Sequence, residues 1–201
     1  MTSPSGPHPY ADIIRARVED SIRTKEAILP QVDHLAQIAE VIVNAYRQGN
    51  KMILFGNGGS AADAQHIATE MVGRYYLERP ALPAEALTVN TSSLTAIGND
   101  YAFERVFARQ IEAAGRPGDV AIGISTSGNS ANVIQGVLKA REMGLVTVGL
   151  SGQDGGRLKD LVDHCVCIPS QDTPRIQEGH ILVGHILCEI VERQMFGQAA
   201  P

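Results

Sequence analysis

The chain has 201 residues, 44% of them hydrophobic, and a net charge of −5 with histidines neutral. That length suffices for one α/β domain with a sizeable core. The acidic balance argues against nucleic acid as a bulk partner, and no stretch is long and apolar enough to span a bilayer.

In chain order, residues 1–9 are rich in Pro, Ser and Gly and lack the apolar centre of a signal peptide, so they read as a disordered tail of a cytoplasmic protein. Residues 10–201 read as a single domain. Its N-terminal helices cover about 10–49, its sheet core about 51–170 and its C-terminal helix about 174–196. A first helix over 10–29 carries the apolar stripe Ile13, Ile14, Val18, Ile22 and Ile28, and Pro30 interrupts it. With no strand partner, that stripe is expected to pack on another subunit or on the back of the domain. A second helix covers 32–48.

Five strands are expected at 51–55, 85–89, 120–124, 146–150 and 165–168. Most are short apolar runs without polar alternation, as in parallel strands covered on both faces. Helical patterns separate them at 61–76, 92–97, 103–114, 130–143 and near Leu158. The alternation predicts a three-layer αβα sandwich around a five-stranded parallel sheet. Cys165 and Cys167 share one face of the fifth run, and Cys188 lies on the last helix. Three cysteines without framework or CxxC spacing read as reduced thiols packed in the core. The last helix opens at Pro174 after Asp172-Thr173, a favourable first turn.

Two serine- and glycine-rich turns each follow a strand and lead into a helix. The first is Asn57-Gly58-Gly59-Ser60 and the second is Ser125-Thr126-Ser127-Gly128-Asn129-Ser130. Glycine lets the backbone approach an anion, and hydroxyls with a helix N-terminus can hold a phosphate. Neither turn has the lysine of a nucleotide-binding P-loop, so a sugar phosphate is the expected ligand. The G-x-S-x-G elbow is absent, which removes Ser60 as a hydrolase nucleophile. Asn99-Asp100 follows the second strand and its short helix. It suits either a grip on sugar hydroxyls or an ordinary turn.

His66 and Glu70 are four apart and share a helix face. Gln177, His180 and His185 lie on the last helix. His66, Glu70, Gln177 and His185 could converge as a zinc-type site, although glutamine is an unusual ligand. Spacing alone leaves this open beside ordinary core or surface histidines. Glu70, next to apolar helix positions, also suits a general base with His185 as its partner.

The segments GNGGSAADAQHIATEMVGR, LTAIGNDYAFERVFARQ, GISTSGNSANVI and RIQEGHILVGHIL, in this order, resemble the sugar isomerase (SIS) domain family. Within it they resemble the branch that interconverts sedoheptulose 7-phosphate and D-glycero-D-manno-heptose 7-phosphate on the way to ADP- or GDP-heptose. The resemblance implies a homotetramer with active sites at subunit contacts and one zinc ion per subunit. It implies Glu70 and His185 as the acid–base pair, and His66, Glu70, Gln177 and His185 as metal ligands. Asn57, Gly58, Gly59, Ser60, Asn99, Asp100, Ser125, Thr126, Ser127, Ser130 and Gln177 match substrate contacts, and His180 matches no ligand position. Two alternatives remain: a non-enzymatic binding protein of the replication-initiator-associating type, and an isomerase of another sugar phosphate. The first is expected to lack Glu70 and His185. The second usually carries appended regulatory domains, for which a chain ending at Pro201 leaves no room.

Overall fold

Five apolar runs pair as parallel strands: β1 (Met52–Gly56), β2 (Ala84–Ala86), β3 (Val120–Ser125), β4 (Val146–Gly152) and β5 (His164–Ile168). Their order across the sheet is β2-β1-β3-β4-β5. The register sets Met52 opposite Val120, Val120 opposite Val146, and Val148 opposite His164. The helices are α1 (Ala11–Glu26), α2 (Val32–Arg47), α3 (Gly59–Val72), α4 (Thr91–Asp100), α5 (Val106–Ala114), α6 (Ala131–Glu142), α7 (Gly156–Lys159) and α8 (Thr173–Phe196). The computed structural model describes residues 8–197, so most of the expected disordered tail lies outside the described residues.

Alternation along each strand divides its side chains between two cores. Met52, Leu54, Ile122 and Ile124 join Ile38 of α2, Ile67 of α3 and Val183 of α8 on one face. Ile53, Phe55 and Ala121 join Phe107 and Ile111 of α5 and Val137 of α6 on the other. Phe55 and Phe107 pack with ring centroids 5.2 Å apart. Both faces are covered, which is why the strands read as unbroken apolar runs and why the layers are αβα. Among the described residues, no helix is long and apolar enough to cross a membrane.

Several boundaries differ from the sequence expectation, each for a local reason. The first helix stops at Glu26, and Pro30 sits in a separate 3-10 turn, Leu29–Gln31. The helix expected to run to Tyr76 ends at Val72. There Gly73 N–H bonds Thr69 O, and the Arg79 guanidinium takes the carbonyls of Glu70 and Met71. The second strand is only three residues long, because Val89 N–H turns back to Ala86 O. The short helix expected at 92–97 spans ten residues, capped by Asn90 Oδ1 accepting from Ser93 N–H at 3.0 Å.

The apolar stripe of α1 does not pack on the back of the domain within this chain. Ile13, Ile14, Val18 and Ile22 are all more than half exposed, and Thr24 is the one buried residue of α1. Polar contacts tie the helix to α8 instead: Ser21 donates to Glu178 at 2.6 Å, and Arg175 donates to the carbonyl of Arg17 at 3.1 Å.

Parallel strands β1 and β3 are neighbours, yet their onward connections leave in opposite directions, towards β2 and β4. The crevice outside their carboxyl ends is the topological switch point where open α/β sheets bind ligands. Both serine-rich turns emerge there.

His180 is fully buried in α8, with Nε2 3.0 Å from the Ser151 carbonyl. Burial pushes its pKa down to about 4, overriding the hydrogen bond to Ser151 that favours the charged form. The unfolded chain, titrating near 6.5, therefore takes up this proton first. Stability from the neutral imidazole is complete above about pH 6.5 and is lost as pH falls towards 4, by about 3 kcal/mol. Urea unfolding at pH 7 and pH 4 should show this loss in the native chain. It should be missing from the difference measured for His180→Gln.

Candidate functional site

The first turn leaves β1 at Gly56 and enters α3 at Gly59. Gly58 sits at φ +56°, which tightens the turn, and the N–H groups of Ser60 and Ala61 bond back to the carbonyls of Asn57 and Gly58. Gly59 has a second constraint: a Cβ there would collide with the side-chain amide of Gln177. Ser60 is buried. Asn57 is fully engaged with Asn132 in the first turn of α6. Each amide donates to the other's oxygen at 2.8 Å. Asn57 thus locks the two turns together, and Asn132 is a residue that sequence reasoning missed. Its only signal is an amide at the start of the helix after the serine-rich turn.

In the second turn, Ser125 Oγ donates to Ser130 Oγ at 3.0 Å. Ser127 Oγ accepts from Asn129 N–H at 3.1 Å, and Asn129 Nδ2 donates to Ser127 O at 2.8 Å. Ser130 precedes α6 without capping it, which leaves N–H groups of its first turn open to a ligand. The loop after β4 supports this turn from behind. Leu158 N–H donates to Gly128 O at 2.9 Å, and Arg157 N–H donates to Asn129 Oδ1 at 3.2 Å. Ser60, Ser125, Thr126, Ser127 and Ser130 thus stand at the carboxyl ends of β1 and β3, on two turns joined by the Asn57–Asn132 pair. Asn99 and Asp100 lie exposed at the far end of α4, hydrogen-bonded to each other at 2.8 Å.

Helices α3 and α8 run side by side in the same direction: Gly59 meets Gln177, and Ile67 meets Gly184. Two turns further on, His66 of α3 meets His185 of α8. The His66 Nε2 lies 2.9 Å from the His185 Nε2 and 3.4 Å from the Glu70 Oε1. One ligand atom from each of His66, Glu70 and His185 falls within 4.8 Å of the others. Two imidazole nitrogens and a carboxylate oxygen form a donor set that suits zinc and related cations. The structure brings these three together. It places Gln177 eight residues before His185, about 12 Å back along the helix and beside the first turn. Cys188, one turn beyond His185, is buried, and burial together with the charge of Glu70 pushes its thiol up to about 12.

A buried ion pair fixes this cluster from behind. Arg79 Nε donates to Glu192 Oε1 at 2.8 Å, with both side chains almost wholly buried. Arg79 also donates to the carbonyls of Glu70 and Met71, each at 2.8 Å. Glu192 accepts from the N–H groups of Tyr75, Tyr76 and Leu77 at 2.6–2.9 Å. Burial opposes ionisation of Glu192, but these four donors outweigh it and hold the carboxyl below its usual range. The same segment lays the Tyr75 ring 5.8 Å from His185. Nothing local in the sequence signals Arg79, Glu192 or Tyr75, because their partners are distant in the chain.

Comparison with known proteins settles the family. The SIS domain model matches residues 15–152. The chain belongs to the SIS domain family. Its relatives match this SIS domain almost end to end. The phosphoheptose isomerase of Clostridium acetobutylicum is 52% identical over 190 residues, 93% of this chain and 97% of that protein. The phosphoheptose isomerase of Roseiflexus sp. (strain RS-1) is 57% identical over 185 residues, 92% of each chain. Among solved structures, the phosphoheptose isomerase from Neisseria gonorrhoeae superposes with a TM-score of 0.86 at 44% identity. It covers 90% of this chain and 97% of its own. The phosphoheptose isomerase from Francisella tularensis gives a TM-score of 0.89 at 34% identity, covering 92% and 100%.

Removing one partner of the Arg79–Glu192 pair leaves the other charge buried in this SIS domain. Arg79→Met should therefore cost about 3–5 kcal/mol of stability in chemical denaturation. A loss below about 1 kcal/mol would mean that the pair is solvated and does not clamp the helices.

Proposed function

We propose that this chain is a phosphoheptose isomerase, converting sedoheptulose 7-phosphate to D-glycero-D-manno-heptose 7-phosphate through an enediol. The reaction would run in the cytoplasm and open the route to ADP- or GDP-heptose of the kind built into lipopolysaccharide. One observation carries the reading: Glu70 and His185 face each other in a chain that phosphoheptose isomerases match over 92–93% of its length. A non-enzymatic SIS binding protein has no use for that pair, so it is not favoured.

The chemistry follows from the residues. Ser60, Ser125, Thr126, Ser127 and Ser130, with the N–H groups at Gly58 and Gly59, hold the phosphate. Asn57 keeps the two turns in register, while Asn99, Asp100 and Gln177 contact the sugar. Binding energy at the phosphate end positions the reacting end. Glu70 takes the proton from one of C1 and C2 and returns it to the other. One of its oxygens faces His66 at 3.4 Å, and the second would make this transfer. His185 moves the proton between the two substrate oxygens. A zinc ion held by His66, Glu70, His185 and Gln177 would polarise the substrate carbonyl.

Distance bears on how the site would be assembled. Glu70 lies ten residues after Ser60 on α3, about 15 Å along the axis. From C1 to phosphorus a heptose 7-phosphate has eight bonds, the backbone length of under three residues, or about 9 Å. That length is shorter than the axial rise, so within one chain the Ser60 and Glu70 side chains would have to reach towards each other to hold both ends of one substrate. The family resemblance implies a homotetramer with sites at subunit contacts, and the separation of about 12 Å between Gln177 and the His66–Glu70–His185 cluster within one chain supports Gln177 of one chain meeting the cluster of another.

Purified protein should convert sedoheptulose 7-phosphate to the aldoheptose phosphate and lose activity to a strong chelator, with zinc restoring it. Product formation that survives stripping of the site would keep the isomerase and remove the metal. Glu70→Gln should abolish turnover while substrate still binds, and retained turnover would take Glu70 out of the base role. Ser127→Ala should weaken substrate binding by about 1.5–3 kcal/mol, the range for a hydrogen bond to a charged group. Finally, co-expressed Glu70→Gln and Gln177→Ala subunits should regain part of the activity that each lacks alone. Mixed assemblies without activity would confine each site to one chain.

A further inference from the structure

Strand β5 lies at the edge of the sheet, and two of its side chains have no part in the chemistry above. Cys165 and Cys167 are two residues apart and point to the same face. Their Sγ atoms lie 3.9 Å apart, and both thiols are free and half-buried. Leu158 and Lys159 of α7 border them: the Cys165 Sγ shares the space over Gly149 with Leu158, and the Cys167 Sγ shares the space over Gly155 with Lys159.

Two reactions are open to such a pair, and geometry separates them. Residues two apart in an extended strand have Cα atoms about 6.6 Å apart, near the upper end of what a disulfide spans, with Cβ vectors parallel rather than converging. Oxidation would therefore need the strand to bend. A cation with metal–sulfur bonds of about 2.3 Å bridges a 3.9 Å gap at an angle of about 116°, close to tetrahedral. The sulfurs already stand at chelating distance.

We propose that Cys165 and Cys167 form a chelating site for a thiophilic divalent cation, separate from the His66–Glu70–His185 cluster. Binding forms two metal–sulfur bonds, and the Cys165 proton leaves to solvent together with any proton still on Cys167. No electron is transferred, and water fills the remaining positions. The site backs onto the hydroxyl-rich turn through one residue. Gly155 packs on Cys167, its carbonyl accepts from Ser151 Oγ at 3.2 Å, and it abuts Gly128.

Cadmium(II) is the probe, because thiolate ligation gives a charge-transfer band in the ultraviolet that imidazole and carboxylate ligation does not. Titration of the full chain should produce this band, saturating at one thiolate-bound ion per chain and independent of protein concentration. Cys165→Ser and Cys167→Ser should each lose most of the band, and the double variant all of it. His66→Ala should keep it. No band in the native chain would overturn the proposal. So would a band that persists in the double variant, which would point to Cys188, or saturation that depends on protein concentration, which would point to ions bridging two molecules.

Discussion

The geometry of the cluster depends on one buried ion pair. Isolated from its surroundings, Arg79–Glu192 would be a poor investment, since desolvating two charges commonly cancels their attraction. Its surroundings change that balance. Arg79 bonds three backbone carbonyls besides Glu192, and Glu192 collects three backbone N–H groups. These are groups stranded where α3 ends and the chain turns away from it, and an apolar plug would leave them unpaired. The pair sets how far α3 runs and where α8 lies against it. Those two choices place Glu70 opposite His185.

The other half of the site is fixed by topology and one amide pair. Reversal of the connections at β1 and β3 opens a crevice, and each strand delivers a hydroxyl-bearing turn to it. The turns would be independent loops but for Asn57 and Asn132, whose reciprocal hydrogen bonds join them across the gap. A phosphate would therefore meet donors already oriented, with little ordering cost left to its own binding energy. On an acidic chain, local dipoles and hydroxyls take the place of net positive charge.

Much of this was legible in the sequence, and the remainder divides by range. Runs such as 120–124 show parallel strands because both faces of the sheet are buried. The serine-rich turns show themselves because they are contiguous. The i, i+4 pair His66 and Glu70 was visible for the same reason. The end of α3 was not, because the residue that takes its last carbonyls, Arg79, stands beyond the helix and is held by Glu192 more than a hundred residues on. The 3.9 Å approach of Cys165 and Cys167 was only half visible: the alternation put them on one face, but not at chelating distance. Gln177 shows the limit of periodicity. Sharing a side of α8 with His185 still leaves it about 12 Å away.

That separation connects two facts that look unrelated. Within the chain, the apolar stripe of α1 is left exposed and α4 buries none of its residues. Within the chain, too, Gln177 stands about 12 Å along α8 from the His66–Glu70–His185 cluster. An isolated domain pays for exposed Ile13, Ile14, Val18 and Ile22 without return, since apolar surface gains about 25 cal/mol per Å² only when it leaves water. Association through such surfaces would remove that cost, and in the proposed homotetramer it would also bring Gln177 of one chain towards the cluster of another. In that assembly the hydrophobic effect would supply the free energy that draws the parts of the proposed site together.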